Sequence, residues 1–437
     1  MSWLRGKSDV SAGRSGIVTV LDIGSTKVCC VVGRLKPCEE SERLPGRTHK
    51  VKVIGIGHQK SMGVKSGVIV DLDQAEQAIR LAVDAAERMA GLTVESLFVN
   101  VSAGRLSSTV FSSTVNLGGH EAGPSDIKRV LAAGAKQAMR AEREVIHSLP
   151  IGFSLDAERG VRDPSGMIGD VLGVDMHVLT ADAAPLRNLE LCVNRAHLSV
   201  ERMVATPYAS GLAALVDDEA EMGAACVDMG GGTTTISIFA EGKFVHAEVI
   251  PIGGSHVTMD LAKGLSTRRE YAERLKVMHG SALPATGDDR DMVTVYPMNP
   301  EDGEAPQQAP RAIMNKIIRA RVEETLELVR DRLNKSGFGG VVGKRVVLTG
   351  GASQLAGLPE AARRILARNV RLGRPLGVTG LPEAAKGPAF ATTVGLLIYP
   401  QMAGFESRNG KGGGLPFRAT GTGGRLQRVS QWLRESF

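Results

Sequence analysis

Apolar and polar positions along this chain recur with two periods, and the switches between them mark out the elements. Ile17 to Gly33 reads as a β-hairpin: an apolar run, a small polar turn and a second β-prone run. Lys36 to Lys50 is a polar loop, KVIGIG (Lys52–Gly57) returns as a strand, and Gly67–Val70 is extended. The period then becomes helical. Ala75, Ala78, Ile79, Ala82, Val83, Ala86 and Met89 share one side, with Asp73 as the expected cap and Gly91 as the stop. Between Val94 and about Pro164, SLFVNVS and STVFSSTVNLG alternate as strands, Pro124-Ser125-Asp126 opens a helix to about Glu142, and REVIHSLPIGFSLD is extended. This reads as a compact unit inserted into the first domain. MHVLTAD (Met176–Asp182) resumes a buried strand, a helix follows to Ala196, and SVERMVAT and YASGLAAL continue as strand and small-residue helix.

The second half repeats the plan. Ala224–Ile238 is a hairpin, KFVHAEVIPIGG another strand, and Gly253–Leu265 and Arg268–Met278 are helical. Gly280–Pro310, rich in Pro, Gly and Asp, reads as a loop. Ala312–Lys335 is a long periodic helix, KRVVLTGGAS a strand with a glycine turn, Gly357–Arg368 a helix, and ATTVGLLIYP closes the fold. Strand hairpin, strand, helix, strand, helix thus occurs twice, which points to two related α/β halves.

The two hairpins carry the candidate chemistry. LDIGSTKVCCVVG and DMGGGTTTISI each lead an apolar run into Asp, a small-residue turn and a hydroxyl. Such a turn aims backbone N–H groups and hydroxyls at one spot, which suits phosphate. Gly230, Gly231 and Gly232 let backbone approach an anion closely, and Thr233 to Thr235 add hydroxyls. Gly24, Ser25 and Thr26 would hold terminal phosphates, with Lys27 adjacent. Asp22 and Asp228 repel phosphate, and their expected role is to hold Mg²⁺ through water. A plain hairpin turn is the alternative for either segment taken alone.

Composition narrows the classes. At 437 residues the chain is too long for one core, so two to four domains are expected. Aromatics are 4%, which argues against a base-stacking nucleic-acid platform, and the +6 formal charge is spread without a Lys/Arg block. The five cysteines have no metal or disulfide spacing, so reduced, buried thiols in a cytosolic protein are expected. The N-terminus lacks the apolar core of a secretory signal, and no stretch approaches a spanning helix.

DIGSTK, DMGGGTT and VLTGGAS, in this order and spacing, resemble the phosphate-1, phosphate-2 and adenosine motifs of the actin/sugar-kinase/heat-shock-chaperone ATPase superfamily, over about Val18 to Ile398. The resemblance implies an α/β, actin-like fold with two RNase H-like lobes around a nucleotide cleft, and ATP with Mg²⁺ as ligands. Gly350, Gly351 and Ser353 would then lie against the adenosine. Glu273 and Lys276, one helical turn apart in YAERLKVMHG, look like the charged pair that related proteins place there; a solvated ion pair is the alternative. Related ATPases carry a Gln or Glu that orients the attacking water near the position of Arg202. Glu201 is one residue off, on the opposite face of a strand. The expectation is nucleotide binding with slow or absent hydrolysis and no assigned catalytic residue.

The inserted unit, together with GVIVDLDQA, the helix–GLTVES passage and DPSGMIGDVLGVDMHVLTAD, resembles subdomain 1C of the FtsA family of bacterial cell-division proteins. On that resemblance residues 1–15 are a disordered N-terminus; 16–93, 165–205 and 386–400 form lobe 1 (1A); 94–164 the insert (1C); 206–253 and 344–385 lobe 2 (2A); 254–343 subdomain 2B. Residues 401–424 are a glycine-rich linker and 425–437 an amphipathic, membrane-targeting helix. At ~100° per residue, Leu426, Val429, Trp432, Leu433 and Phe437 fall within roughly 140°. Half-burying them yields about 4–8 kcal/mol before ordering costs, which gives reversible peripheral binding to anionic lipids. Docking of this helix on the protein's own body is the alternative. The family implies three further kinds of partner: the C-terminal peptide of FtsZ on 2B, the chain itself in an actin-like filament, and later division proteins. It also implies a place on the cytoplasmic face of the inner membrane at the division site. Arg319, Arg321, Arg330 and Arg332 could rim an acidic peptide or form a solvated face. The rival readings are an actin-like pilus-assembly ATPase, a small-molecule kinase of the same fold, and a chaperone.

Overall fold

The computed structural model describes residues 16–39, 47–137, 142–284, 287–288, 290–298 and 305–406. The expected N-terminal tail (1–15), most of the linker and the membrane helix with Leu426, Val429, Trp432, Leu433 and Phe437 lie outside the described residues. Two lobes share one plan. In the first, a six-stranded sheet runs in the order Ser199–Ala205, Ser96–Val101, Gly16–Ile23, Lys27–Pro37, His49–Lys60 and Val378–Thr379. In the second, five strands run in the order Lys243–Ile250, Thr234–Ala240, Ala224–Met229, Arg345–Thr349 and Asn369–Leu372. Each sheet pairs three antiparallel strands with parallel neighbours beside the first of them.

Both faces of these sheets are covered, which is why strands such as Lys27–Pro37 read as near-continuous apolar runs. Helices Leu72–Ala90 and Ala183–Arg195 cover one face of the first sheet. Helices Gly254–Gly264, Arg311–Lys335 and Leu358–Leu366 cover one face of the second. Between the lobes, Thr206–Ala214 and Ala391–Met402 cross in a shared core with Tyr208, Tyr399 and Phe244. They cross so closely that a Cβ on Gly395 would lie 1.7 Å from the Ala209 carbonyl oxygen.

Several sequence expectations shift. The cap of helix Leu72–Ala90 is Asp71, not Asp73: its side chain accepts from Gln74 N, so the helix starts earlier. Gly91 at φ 68° ends it as expected. Met89 is exposed, because a Cβ on Gly55 would fall 2.8 Å from the Ala90 Cβ, so Ala90 rather than Met89 meets the sheet there. Strand Ser96–Val101 belongs to the first lobe's sheet rather than to the insert. Conversely Val171–Asp182 does not resume the lobe; it lies between Ser107–Asn116 and Arg143–Leu155 in the insert's own sheet. The insert's helix, Pro124–Lys136, is shorter than expected. Gly280–Pro310 is more than a loop, since Met292–Val295 and Gln307–Pro310 pair as a ribbon that buries Val293 and Val295. The last helix continues through Met402, into the segment expected as linker.

The insert docks on the second lobe through a polar clamp. His177, fully buried, donates from Nδ1 to the Phe244 carbonyl (2.9 Å) and accepts at Nε2 from Ser108 Oγ (2.8 Å). Ser108 Oγ also accepts from Ala247 N (3.1 Å).

Candidate functional site

The twin hairpins are twins in backbone detail. Gly24 N donates to Lys27 O (3.0 Å) in one, and Gly230 N donates to Thr233 O (2.9 Å) in the other. Asp22 and Asp228 occupy equivalent places, each two residues before the turn's first glycine. The two turns face and touch each other. A Cβ on Gly231 would come within 2.4 Å of Thr26 Cγ2, and one on Gly232 within 2.4 Å of Ser25 Oγ. The glycines therefore do more than bare their amides: they let the lobes close. The glycine turn is buttressed from behind, since Gly254 N and Ser255 N donate to the carbonyls of Gly230 (2.9 Å) and Gly231 (2.8 Å).

Between the turns lies a cavity of about 120 Å³. Its lining includes Asp22, Gly24, Ser25, Thr26, Lys27, Asp228, Gly230, Gly231, Gly232, Thr233, Gly350 and Gly351, so twelve of the fifteen sequence-assigned positions meet here. Sequence reasoning missed the helix that organises the two aspartates. In its first turn Thr393 Oγ1 donates to Asp22 Oδ2 (2.8 Å) and Thr392 Oγ1 to Asp228 Oδ2 (2.9 Å). Adjacent residues of one helix thus hold one carboxylate from each lobe. The signal was the threonine pair opening an otherwise apolar segment, ATTVG. Asn100 and Thr206, also unassigned, line the cavity as well.

Burial raises both carboxyls. Asp22 is pushed up by desolvation, opposed by Lys27 and the Thr393 hydrogen bond. Asp228 is pushed to about 6 by burial, with the Thr392 bond opposing and the Asp22 charge adding. Burial lowers Lys27, while Asp22 draws it back up. Its ammonium donates to the Ala389 carbonyl and sits 3.3 Å from the centroid of the Phe390 ring.

A larger cavity of about 550 Å³ adjoins the first and shares Thr26, Gly231 and Gly351 with it. Glu273 and Lys276 line it. They are a pair, 2.7 Å apart, but not merely a solvated one: Lys276 Nζ also donates to the Gly254 carbonyl (3.1 Å) and approaches Thr258 Oγ1 (2.9 Å). The pair is thereby fixed to the helix that buttresses the glycine turn. Gly350 has φ 85°, and a Cβ there would sit 2.3 Å from Asp228 Oδ1, so glycine is required. Ser353 lines neither cavity. It is buried and its Oγ donates to the Gly350 carbonyl (2.7 Å), which holds the turn.

Arg202 and Glu201 stand away from both cavities. Arg202 Nη1 donates to Tyr399 OH (2.9 Å) and pairs with Glu406 (3.5 Å), whose other oxygen accepts from His147 Nδ1 (3.0 Å). Ser96 Oγ donates to Glu201.

The two carboxylates and the threonine hydroxyls that hydrogen-bond them offer oxygen, the ligand type that suits Mg²⁺. Among the described residues no group of three or more His, Cys, Asp or Glu could hold a metal, so a cation here needs waters and ligand oxygens to complete its shell.

The model of the family "Cell division protein FtsA" matches residues 225–395, and that of the "SHS2 domain inserted in FTSA" matches 103–180. The second range takes in all but the last two residues of strand Val171–Asp182 and leaves out Ser96–Val101, in agreement with the sheets. The cell division protein FtsA of Rhizobium meliloti (strain 1021) is 67% identical over 424 residues, covering 97% of this chain and 96% of that protein. The FtsA proteins of Pseudomonas aeruginosa and Escherichia coli (strain K12) are 34% and 31% identical over 98% and 96% of this chain, and 100% and 98% of theirs. Among solved structures, the PilM-PilN type IV pilus biogenesis complex matches with a TM-score of 0.60 at 16% identity, over 89% of this chain and 98% of that one. MreB5 of Spiroplasma citri bound to ADP matches with a TM-score of 0.53 at 12% identity, over 90% and 98%. These two likenesses show the actin-like fold alone. With a relative 67% identical over 97% of its length, the chain belongs to the FtsA family of bacterial cell-division proteins.

Proposed function

We propose that this chain binds ATP with Mg²⁺ in the cleft, tethers FtsZ filaments to the cytoplasmic membrane through its C-terminal amphipathic helix, and assembles with itself. The observation that carries the nucleotide reading is the pair of equivalent aspartates held by Thr392 and Thr393 over the touching turns. The turns would take the phosphates and Asp22 and Asp228 the Mg²⁺, through water. The adjoining cavity, with Glu273, Lys276 and Gly351, would take the nucleoside. Mg²⁺ would neutralise phosphate charge and lower the cost of two buried carboxylates.

Hydrolysis is slow or absent on this reading. Among the described residues no Glu or Gln lines the smaller cavity, and Arg202 is committed to Tyr399 and Glu406. Single-turnover hydrolysis faster than about 1 s⁻¹, in the range of ordinary enzymes, would overturn this part.

The tether rests on the apolar arc at Leu426, Val429, Trp432, Leu433 and Phe437. No helix among the described residues is long and apolar enough to cross a membrane. Subdomain 2B would receive the FtsZ C-terminal peptide, as the family's role implies. The test is reconstitution on anionic vesicles. FtsZ filaments should gather on the membrane only with the full chain and ATP, and Trp432→Glu should abolish the effect. Recruitment by Trp432→Glu at the wild-type level would sink the tether.

A further inference from the structure

We propose that Thr235 positions the water shell of a cation held at Asp228, an inference that rests on the reading of the cleft as a nucleotide site. The three threonines of the second hairpin do three different jobs. Thr233 belongs to the turn, where its carbonyl accepts from Gly230 N (2.9 Å). Thr234 points to the other face of its strand, and its Oγ1 donates to the Ile252 carbonyl (2.8 Å), a structural bond. Thr235 is different. It is 1% exposed, it lines the phosphate cavity, and its Oγ1 has no hydrogen-bond partner among the described residues.

A buried hydroxyl without a partner is costly, so natural structures rarely keep one without a reason. Ser237, two residues on, is also buried and unpartnered, but it does not line the cavity. Thr235 does, and its place in the sheet says what it faces. It is the direct register partner of Asp228. Such partners point to one side of the sheet with Cβ atoms about 4.5–5.5 Å apart. The hydroxyl and the carboxylate therefore flank the same small volume. One Asp228 oxygen is already occupied by Thr392 Oγ1. A phosphate oxygen is repelled from beside a carboxylate. A metal-bound water is not: it donates outward, and both Asp228 and the Thr235 oxygen can accept.

The duplicated site is unequal at this position. The register partner of Asp22 in the first lobe is Cys29. Burial pushes its thiol to about 12, so it stays neutral, a weak donor and acceptor. The water shell is accordingly anchored from the second lobe, by a hydroxyl that has no counterpart in the first.

The test uses the full chain and two variants, Thr235→Val, which keeps the shape and removes the hydroxyl, and Thr235→Ser, which keeps the hydroxyl. ATP binding is titrated with Mg²⁺ and, separately, with EDTA, and thermal unfolding is recorded without nucleotide. Thr235→Val should melt at or above the wild-type temperature, since an unsatisfied hydroxyl is gone. Its affinity for Mg·ATP should fall about tenfold, the size of one lost hydrogen bond of ~1.4 kcal/mol, with binding in EDTA unchanged. Thr235→Ser should stay near wild type in both arms. A lowered melting temperature for unliganded Thr235→Val would overturn the inference by showing a structural bond. Equal losses in both arms would overturn it by placing the hydroxyl on phosphate, and no loss in either would overturn it outright. Failure of the wild-type chain to bind ATP in either arm would remove the nucleotide reading itself, and the inference with it.

Discussion

Asp228→Asn is the substitution that separates what the acid pair costs the fold from what it does. In the unliganded protein Asp228 is 6% exposed, and its carboxyl is raised from 3.8 to about 6, by burial first and by the Asp22 charge as well. A raised carboxyl is a penalty on the ionised form. At pH 7 it costs the folded state about 3 kcal/mol, at ~1.4 kcal/mol for each tenfold. The sign follows. Between about pH 4 and 6 the folded state holds the proton more tightly than the unfolded one, so this group's contribution to stability falls as pH rises through that window. Asparagine keeps an acceptor for Thr392 Oγ1, fills the same space and carries no charge. It also relieves Asp22 of a neighbouring charge. Asp228→Asn should therefore raise the unliganded melting temperature at pH 7 by a few degrees. The gain should shrink as pH falls, with most of it gone by about pH 4.5. The same variant should lose Mg²⁺-dependent ATP binding. Thermal unfolding from pH 4.5 to 7.5, beside titration with Mg·ATP, reads both. A variant less stable than wild type at pH 7, or a difference that ignores pH, would show that the buried Asp228 charge does not burden the unliganded fold.

Three further predictions follow from close approaches and holding bonds. Gly395→Ala should destabilise the whole fold by ~3 kcal/mol or more, read by thermal unfolding, because its Cβ meets the Ala209 carbonyl oxygen and neither crossing helix can yield cheaply. Gly231→Ala should weaken ATP binding by propping the turns apart, and Thr26→Ser in the same chain should restore part of it, since the clash is with Thr26 Cγ2. Ser353→Ala should cost about 1 kcal/mol of stability while changing ATP affinity by less than about threefold, because its hydroxyl holds Gly350 and lines neither cavity.

What could be read from the sequence was whatever local chemistry writes locally. The two Asp-led turns and the glycine turn at Gly350 are contiguous, and the backbone bonds at Gly24 and Gly230 show that their likeness is geometric. What could not be read was assignment at a distance. Thr392 and Thr393 reach across 164 and 371 residues to their aspartates, and no spacing rule joins them. Strands Ser96–Val101 and Val171–Asp182 alternate as strands should, but alternation does not say which sheet a strand joins. Asp71 and Asp73 are both competent caps, and the hydrogen bond to Gln74 N decides between them. Ser353 looked like a ligand group because it follows the glycines, and its buried hydroxyl turned out to hold them.

On the proposed function, a nucleotide-clamping body is held at the membrane by its last residues. Sedimentation with anionic vesicles tests it most directly, comparing the full chain with one ending at Gly424, each with and without Mg·ATP. The full chain should pellet with the vesicles, more strongly where ATP promotes self-assembly and many weak helices act together, and the shortened chain should stay in solution in both conditions. Equal pelleting of the two chains would contradict it.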